Sequence, residues 1–211
     1  MITETSILPI QSVYSVGNAT IPATVLNEEP LIMKFDHVLS DEECQALIDS
    51  AAPRLKQSRL ANKELSSIRT SSGMFFEENE SPLLSVIESR IASLMQLPLA
   101  HAEGLQVLRY EPGQEFKPHY DYFAHHNPSS QNNRISTLIV YLNDVEEGGA
   151  TTFPNLGITV QPVKGSAVYF EYFYNNQAIN ELTLHSGEPV IRGEKWVATQ
   201  WMRKQRIRDV Y

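Results

Sequence analysis

The second half of the chain is cut into short pieces. From about residue 103 onward, "EGLQVLRYEPG", "EFKPHYDYF", "RISTLIVYLND", "ITVQPVKGSAVYFEYF", "ELTLHSGEPVI" and "EKWVATQWMRK" follow one another. They are rich in aromatic and β-branched residues and are punctuated by Gly, Pro and Asn clusters, the texture of strands and turns. The first half reads differently. In "SDEECQALIDSAAPRLKQS", Ser40 and Glu43 form a capping box, acids crowd the first turn, and Cys44, Leu47, Ile48 and Ala51 recur at helical spacing. Cys44 therefore reads as a packed thiol and not as a nucleophile. A second helix is predicted over "SPLLSVIESRIASLMQL", 81–97, capped by Ser81 with Pro82 at its first position and an apolar stripe of Leu84, Ile87, Ile91 and Leu94. "PLIMKFDHVLS", 30–40, has strand character, and 61–79 reads as a polar loop running into a short strand. Residues 1–30 read as an irregular lead-in that could hold short strands. Helices followed by a run of strands predict an α+β fold, a β core buttressed by helices.

The bulk properties remove several classes of function. The 211 residues fit one domain, and the formal net charge of −8 argues against a broad basic face for nucleic acid. One cysteine excludes an intrachain disulfide. The N-terminus does not read as a signal peptide, and no run approaches the ~18 consecutive apolar residues of a membrane span. A cytoplasmic protein without membrane partners is expected.

The chemistry starts at "EFKPHYDYF", 115–123. In an extended strand His119 and Asp121 point the same way, which suits a metal site but equally a polar pair on a β surface. A third ligand should come from another strand. His185 ends an apolar strand before a Ser-Gly turn, and ten residues on Lys195 opens the last strand. There Lys195, Val197, Thr199 and Trp201 share one face, while Trp196, Ala198, Gln200 and Met202 pack elsewhere. An inward lysine among apolar neighbours is costly unless it meets an anion. Two imidazoles and a carboxylate leave open positions on a metal, the facial triad of non-haem Fe(II) oxygenases, with catalytic zinc as the chemical competitor. The lysine favours a carboxylate cosubstrate over simple hydrolysis. His37 and His101 read as surface or packing residues. His125 and His126 lie in "HHNPSSQNN", 125–133, a polar loop that could form a mobile lip over the site.

At these residues the sequence resembles the prolyl 4-hydroxylases among the iron and 2-oxoglutarate-dependent dioxygenases, in particular the short single-domain bacterial and algal type. The resemblance covers roughly residues 30–204 and is carried by "IRTSSGMFF", "EGLQVLRYEPGQEFKPHYDYF", "NNRISTLIVYLNDVEEGGATTFP", "KGSAVYFEY" and "LHSGEPVIRGEKWVATQW". It implies a double-stranded β-helix (jelly-roll) core over 101–204 with helical support over 31–100, one dioxygenase domain spanning 31–211. It implies Fe(II) on His119, Asp121 and His185, and 2-oxoglutarate held by Lys195 with Tyr110 and Thr151. It places Arg69, Ser71, Glu103, Arg134 and Trp201 along the substrate groove. From the residues alone, Arg69 and Arg134 read as ordinary surface charge, whereas Trp201 has the support of sharing the Lys195 face. The glycines of "VEEGGATTFP" would permit tight backbone approach.

The implied reaction is hydroxylation of peptidyl proline at C4 by O2 and 2-oxoglutarate, releasing succinate and CO2, with ascorbate as a further requirement. The expected partner is a proline-containing peptide or protein, and a homodimer contact through the first 30 residues is a further expectation. The alternatives are another substrate for the same cofactor (a free amino acid, a lysyl residue or a small molecule), or a non-catalytic jelly-roll module that binds proline-rich polypeptide. One position departs from the family's Tyr-x-x-Gly-x-x-Tyr-x-x-His-x-Asp pattern. Phe116 stands at the second aromatic, so the ring is kept and the hydroxyl lost.

Overall fold

The structure is a computed structural model that describes residues 4–57 and 68–209. Three strands come first, β1 (Val13–Val16), β2 (Ala19–Glu28) and β3 (Leu31–Phe35), followed by α1 (Asp41–Ala51), β4 (Lys56–Gln57), β5 (Ser72–Phe75) and α2 (Pro82–Leu94). Ten further strands complete the chain: β6 (Gln106–Tyr110), β7 (Phe116–His119), β8 (Arg134–Tyr141), β9 (Glu147–Gly148), β10 (Thr151–Phe153), β11 (Ile158–Val160), β12 (Ala167–Glu171), β13 (His185–Gly187), β14 (Val190–Arg192) and β15 (Lys195–Arg203). A short helix, α3 (Gln177–Glu181), lies between β12 and β13.

The strands form a major sheet in the order β1-β2-β3-β12-β8-β15-β6-β5-β4, a minor sheet β11-β10-β13-β7, and a β14-β9 ribbon. All pairings are antiparallel, the arrangement of a jelly-roll. The major sheet is covered on both faces. Along β15, Trp196, Ala198 and Met202 enter a core with Cys44, Leu47, Leu84, Ile87 and Ile91 of the two N-terminal helices. Val197 faces the other way, into a second core with Leu108, Tyr141, Phe153, Val160 and Phe170, which joins the two sheets. The period-2 alternation of β15 thus separates a buttressed face from a chamber face.

Local chemistry explains the helices. Ser40 Oγ accepts a hydrogen bond from Glu43 N, and the Glu43 carboxylate accepts one from Ser40 N at 2.9 Å, closing the expected capping box. Ser81 Oγ accepts from Leu84 N at 3.1 Å, with Pro82 at the start of α2. Cys44 is fully buried, and desolvation pushes its thiol up to about 11, which fits a packing role.

Two regions differ from the sequence-based expectation. Residues 13–28 are not an irregular lead-in: β1 and β2 form a hairpin at one end of the major sheet. Tyr14 and Ile21 stand opposite each other and are buried, whereas residues beside them are exposed, so only alternate residues carry an apolar signal. The segment before the hairpin is also fastened, because the buried Glu171 carboxylate accepts hydrogen bonds from Ile7 N and Leu8 N at 3.2 and 3.1 Å. In 125–133, Pro128–Asn132 is a 3-10 turn capped by the Asn127 side chain and fastened to the C-terminal segment, where Asn132 bonds the Gln205 main chain in both directions. Asn133 bonds Phe123 in both directions, and Arg203 Nη1 donates to Asn132 O at 2.7 Å. The part of the expected 61–79 loop up to residue 67 lies outside the described residues.

The C-terminal segment closes against α2 through a buried ion pair, Arg208 Nη2 to Glu88 Oε1 at 2.7 Å, and Arg208 also donates to the Ala102 and Glu103 carbonyls. Removing one partner strands the other charge without water. Arg208→Ala should therefore lower the unfolding free energy by about 3 kcal/mol or more, whereas replacing both residues with leucine should cost much less. Urea unfolding of the two variants measures the difference. Equal losses would show that packing, and not the stranded carboxylate, sets the cost.

Candidate active site

His119 and His185 are direct partners across the antiparallel pair of β7 and β13, so both rings rise from the same face of the minor sheet. His119 Nδ1 lies 2.9 Å from the Lys117 carbonyl and His185 Nδ1 lies 3.0 Å from the Thr183 carbonyl. A carbonyl can only accept, so each Nδ1 carries a proton, and in the neutral ring Nε2 is then the atom that presents a lone pair. Asp121, just past the end of β7, places Oδ1 3.6 Å from His119 Nε2 and Oδ2 3.7 Å from His185 Nε2. One ligand atom from each residue lies within 4.8 Å of the others.

The electrostatics fit a cation. Burial opposes ionisation of Asp121, but interactions with the neighbouring His185 and His119 and with the Arg134 guanidinium hold its carboxyl well below the usual range. Burial and then the neighbouring His119 push His185 down to about 4, so its imidazole is neutral near pH 7. The three groups thus face one point as acceptors. Their lone pairs repel unless a cation sits between them, and two imidazoles plus a carboxylate suit Fe(II) or Zn(II).

Lys195 opens β15 directly opposite Tyr110 on β6, and its side chain enters the same cavity. It is 4% exposed, with Nζ 5.7 Å from the Tyr110 ring centroid and 5.6 Å from that of Tyr141. No carboxylate of the described residues pairs with it within 4.0 Å. Desolvation lowers it to about 7, and the charge of Glu188 only partly offsets this. Two glycines clear its path. A Cβ on Gly149 would sit 3.3 Å from Lys195 Cδ, and one on Gly187 3.7 Å from Nζ. Gly148, at φ +81°, lies where a Cβ would collide with the Pro189 carbonyl, the close backbone approach expected of this turn.

Tyr110 and Thr151 line the cavity beside Lys195. Tyr141 donates its hydroxyl hydrogen to Thr151 Oγ1 at 2.8 Å, which leaves the Thr151 hydrogen for a ligand. Arg69 and Trp201 line the cavity too, and Leu108, Ile139 and Val197 make its walls apolar. Arg69 donates to Ser71 Oγ and Gln106 Oε1 at 3.3 and 3.0 Å. Glu103 is not directed at the cavity: its carboxylate takes a bidentate pair from Arg134 at 2.7 and 2.8 Å and a further bond from Arg203. The Arg134 guanidinium in turn lies 3.9 Å from the Trp201 ring centroid. Phe116 stacks on the His119 imidazole, with centroids 3.5 Å apart and planes at 14°. His37, His125 and His126 are exposed, and His101 Nδ1 meets the Arg203 carbonyl at 3.0 Å, away from the cluster.

Sequence reasoning missed Thr137 and Tyr172, which stand behind Asp121. The signal was available for Thr137. It alternates with Ile139 and Tyr141 along β8, on the face opposite Leu138 and Val140.

Residues 105–203 match the model of the 2OG-Fe(II) oxygenase superfamily. A probable prolyl 4-hydroxylase of Arabidopsis thaliana is 38% identical over 203 residues, covering 84% of this chain and 71% of the relative. Another prolyl 4-hydroxylase of that plant is 39% identical over 211 residues, covering 90% and 74%. Among solved structures, the viral collagen prolyl hydroxylase of Paramecium bursaria Chlorella virus-1 in complex with 2OG superposes with a TM-score of 0.68 at 32% identity, covering 82% of this chain and 95% of that one. The jelly-roll, the acceptor triad and the identity over most of both chains agree, and the protein belongs to the prolyl 4-hydroxylase family of 2OG-Fe(II) oxygenases.

Proposed function

We infer that the protein is a 2-oxoglutarate-dependent dioxygenase that hydroxylates peptidyl proline at C4 at a non-haem Fe(II) centre, with release of succinate and CO2. The observation that carries this reading is the pairing of a His-Asp-His triad with a buried lysine that has no carboxylate partner among the described residues, in one apolar cavity. His119, Asp121 and His185 would hold the metal, and bound Fe(II) supplies the oxidative chemistry that side chains cannot. Lys195 receives the distal carboxylate of 2-oxoglutarate as a charge-assisted hydrogen bond, and the Tyr110 and Thr151 hydroxyls complete its cradle. The apolar walls keep water from the reacting centre. Ascorbate joins the proposal as the reductant.

On the substrate side, Arg69 and Trp201 meet the polypeptide directly, with Ser71 steadying Arg69. Glu103 acts through Arg134, fixing the guanidinium that lies against the Trp201 face. The viral relative, whose name carries collagen prolyl hydroxylase and whose structure holds 2OG, supports a polypeptide substrate over a free amino acid.

Incubation with Fe(II), 2-oxoglutarate, ascorbate and proline-rich peptides in air should give succinate and a peptide product heavier by one oxygen. Mass spectrometry locates the oxygen on proline C4. Succinate without peptide product across collagen-like and other prolyl sequences would sink the substrate assignment while leaving the cofactor assignment standing.

The lysine adds a pH dependence with a definite sign. Below about 7 its ammonium is already present in the empty site; above that pH, binding the dianion must take up a proton. Affinity for 2-oxoglutarate should therefore fall as pH rises beyond 7, by up to about tenfold per pH unit. Lys195→Arg, charged throughout this range, should flatten the slope even if it weakens binding overall. Calorimetric titration between pH 6.5 and 8.5 reads both, and an equal slope in the two proteins contradicts the assignment of Lys195.

A further inference from the structure

Asp121 is held from behind by a directed pair of hydrogen bonds. Thr137 Oγ1 lies 2.7 Å from Asp121 Oδ2 and 2.6 Å from the Tyr172 hydroxyl. The ionised carboxylate can only accept, so the single Thr137 hydroxyl hydrogen goes to Oδ2. The Thr137 oxygen is then left as the acceptor, and the Tyr172 hydroxyl must donate to it. The order of donation is Tyr172 to Thr137 to Asp121, and no other arrangement of the hydrogens satisfies all three groups.

All three side chains are buried, so water does not substitute for either bond. Thr137 sits on β8, in the middle of the major sheet, paired to β15 at Trp201 and to β12 at Phe170. Tyr172 follows β12, and its ring lies 5.9 Å from Tyr122, the residue after Asp121. The iron ligand lies outside any strand, past the end of β7, yet its carboxylate is fixed by a hydroxyl on one of the best-supported strands in the fold. The Asp121 main chain is tied from the same strand, since Arg134 Nη1 donates to the Asp121 carbonyl at 3.3 Å.

We propose that Thr137 and Tyr172 are positioning residues for the iron centre: they occupy Asp121 Oδ2 and turn Oδ1 to the metal, so that the carboxylate binds through one oxygen and leaves the remaining positions open. This rests on the Fe(II) reading of the triad. Loss of the Thr137 hydroxyl frees Oδ2 to rotate or to chelate, which alters both affinity for the metal and the positions available to 2-oxoglutarate. Tyr172 acts only through Thr137, so its loss matters less and does not add to the loss of Thr137.

The test uses the whole protein and the metal itself, without prolyl substrate. Anaerobic Fe(II) titration of the wild type establishes one site per chain; failure to bind there overturns the iron reading and is distinct from any result on the variants. Thr137→Val should weaken Fe(II) affinity by about 10- to 100-fold, the usual effect of removing an outer partner of a metal ligand. Thr137→Ser, which keeps the hydroxyl, should stay within about threefold, Tyr172→Phe should fall between the two, and the double variant Thr137→Val/Tyr172→Phe should match Thr137→Val alone. The charge-transfer absorption of the Fe(II)–2-oxoglutarate complex should shift or weaken in Thr137→Val and not in Thr137→Ser. Thermal unfolding of the metal-free variants separates misfolding from mispositioning. Should Thr137→Val fail to fold, Tyr172→Phe and Thr137→Ser still decide. Wild-type affinity and spectrum in Tyr172→Phe and Thr137→Val, or additive losses in the double variant, overturn the proposal.

Discussion

The site depends on one cross-strand pair, His119 opposite His185. Because side chains alternate with period two, a slip of either strand by one residue would turn one imidazole away from the cavity. The register is secured on both sides of β13. Phe116 on β7 pairs with Gly187, and Thr152 on β10 pairs with Ser186. The minor sheet is short, with strands of three or four residues, so the pairing alone is a weak guarantee. What fixes it is the apolar core shared with the major sheet, where Phe153 and Phe170 pack near the His185 ring at 5.8 and 4.6 Å. The buttressing helices matter in the same way. They cover the outer face of the major sheet, which allows its inner face to carry Lys195, Thr137 and Tyr141 in a dry chamber.

How much of this was legible in the sequence follows from the range of each interaction. The helix caps and stripes were legible because their causes lie within four residues. His119 and Asp121 were legible as a pair for the same reason, and Lys195 because an inward lysine on an apolar strand demands an anion. His185 was placed with them only by a turn signal and by family resemblance, since its pairing with β7 spans more than sixty residues of chain. The β1–β2 hairpin was not legible. Only alternate residues of it are buried, and Pro22 lies within it. The destination of Glu103 was equally hidden, because Arg134 and Arg203 reach it from distant strands.

Phe116 shows what a local departure from the family pattern does here. The ring keeps two occupations without a hydroxyl. One face stacks on His119, and the Arg69 guanidinium lies 5.1 Å from its centroid. An aromatic group is therefore needed to orient the first imidazole and to hold a cation at the mouth, whether or not it carries a hydroxyl. The departure removes one hydroxyl and leaves the ring's contacts with His119 and Arg69 in place.

Charge explains why these parts belong together. Asp121 contributes one negative charge, His185 is neutral near pH 7, and Lys195 is poised at about 7 because its desolvation outweighs the partial offset from Glu188. A divalent metal on the triad would make the empty chamber strongly positive and press Lys195 further towards its neutral form. A dianion would reverse this: held between metal and lysine as proposed, 2-oxoglutarate would offset the net charge of the metal, the carboxylate and the ammonium together. Each component then stabilises the others, so metal, dianion and the protonated lysine are linked in binding. Arg69, which also lines the cavity, has its guanidinium engaged by Ser71 and Gln106 and lies against the Phe116 ring, so it is held in place independently of this balance.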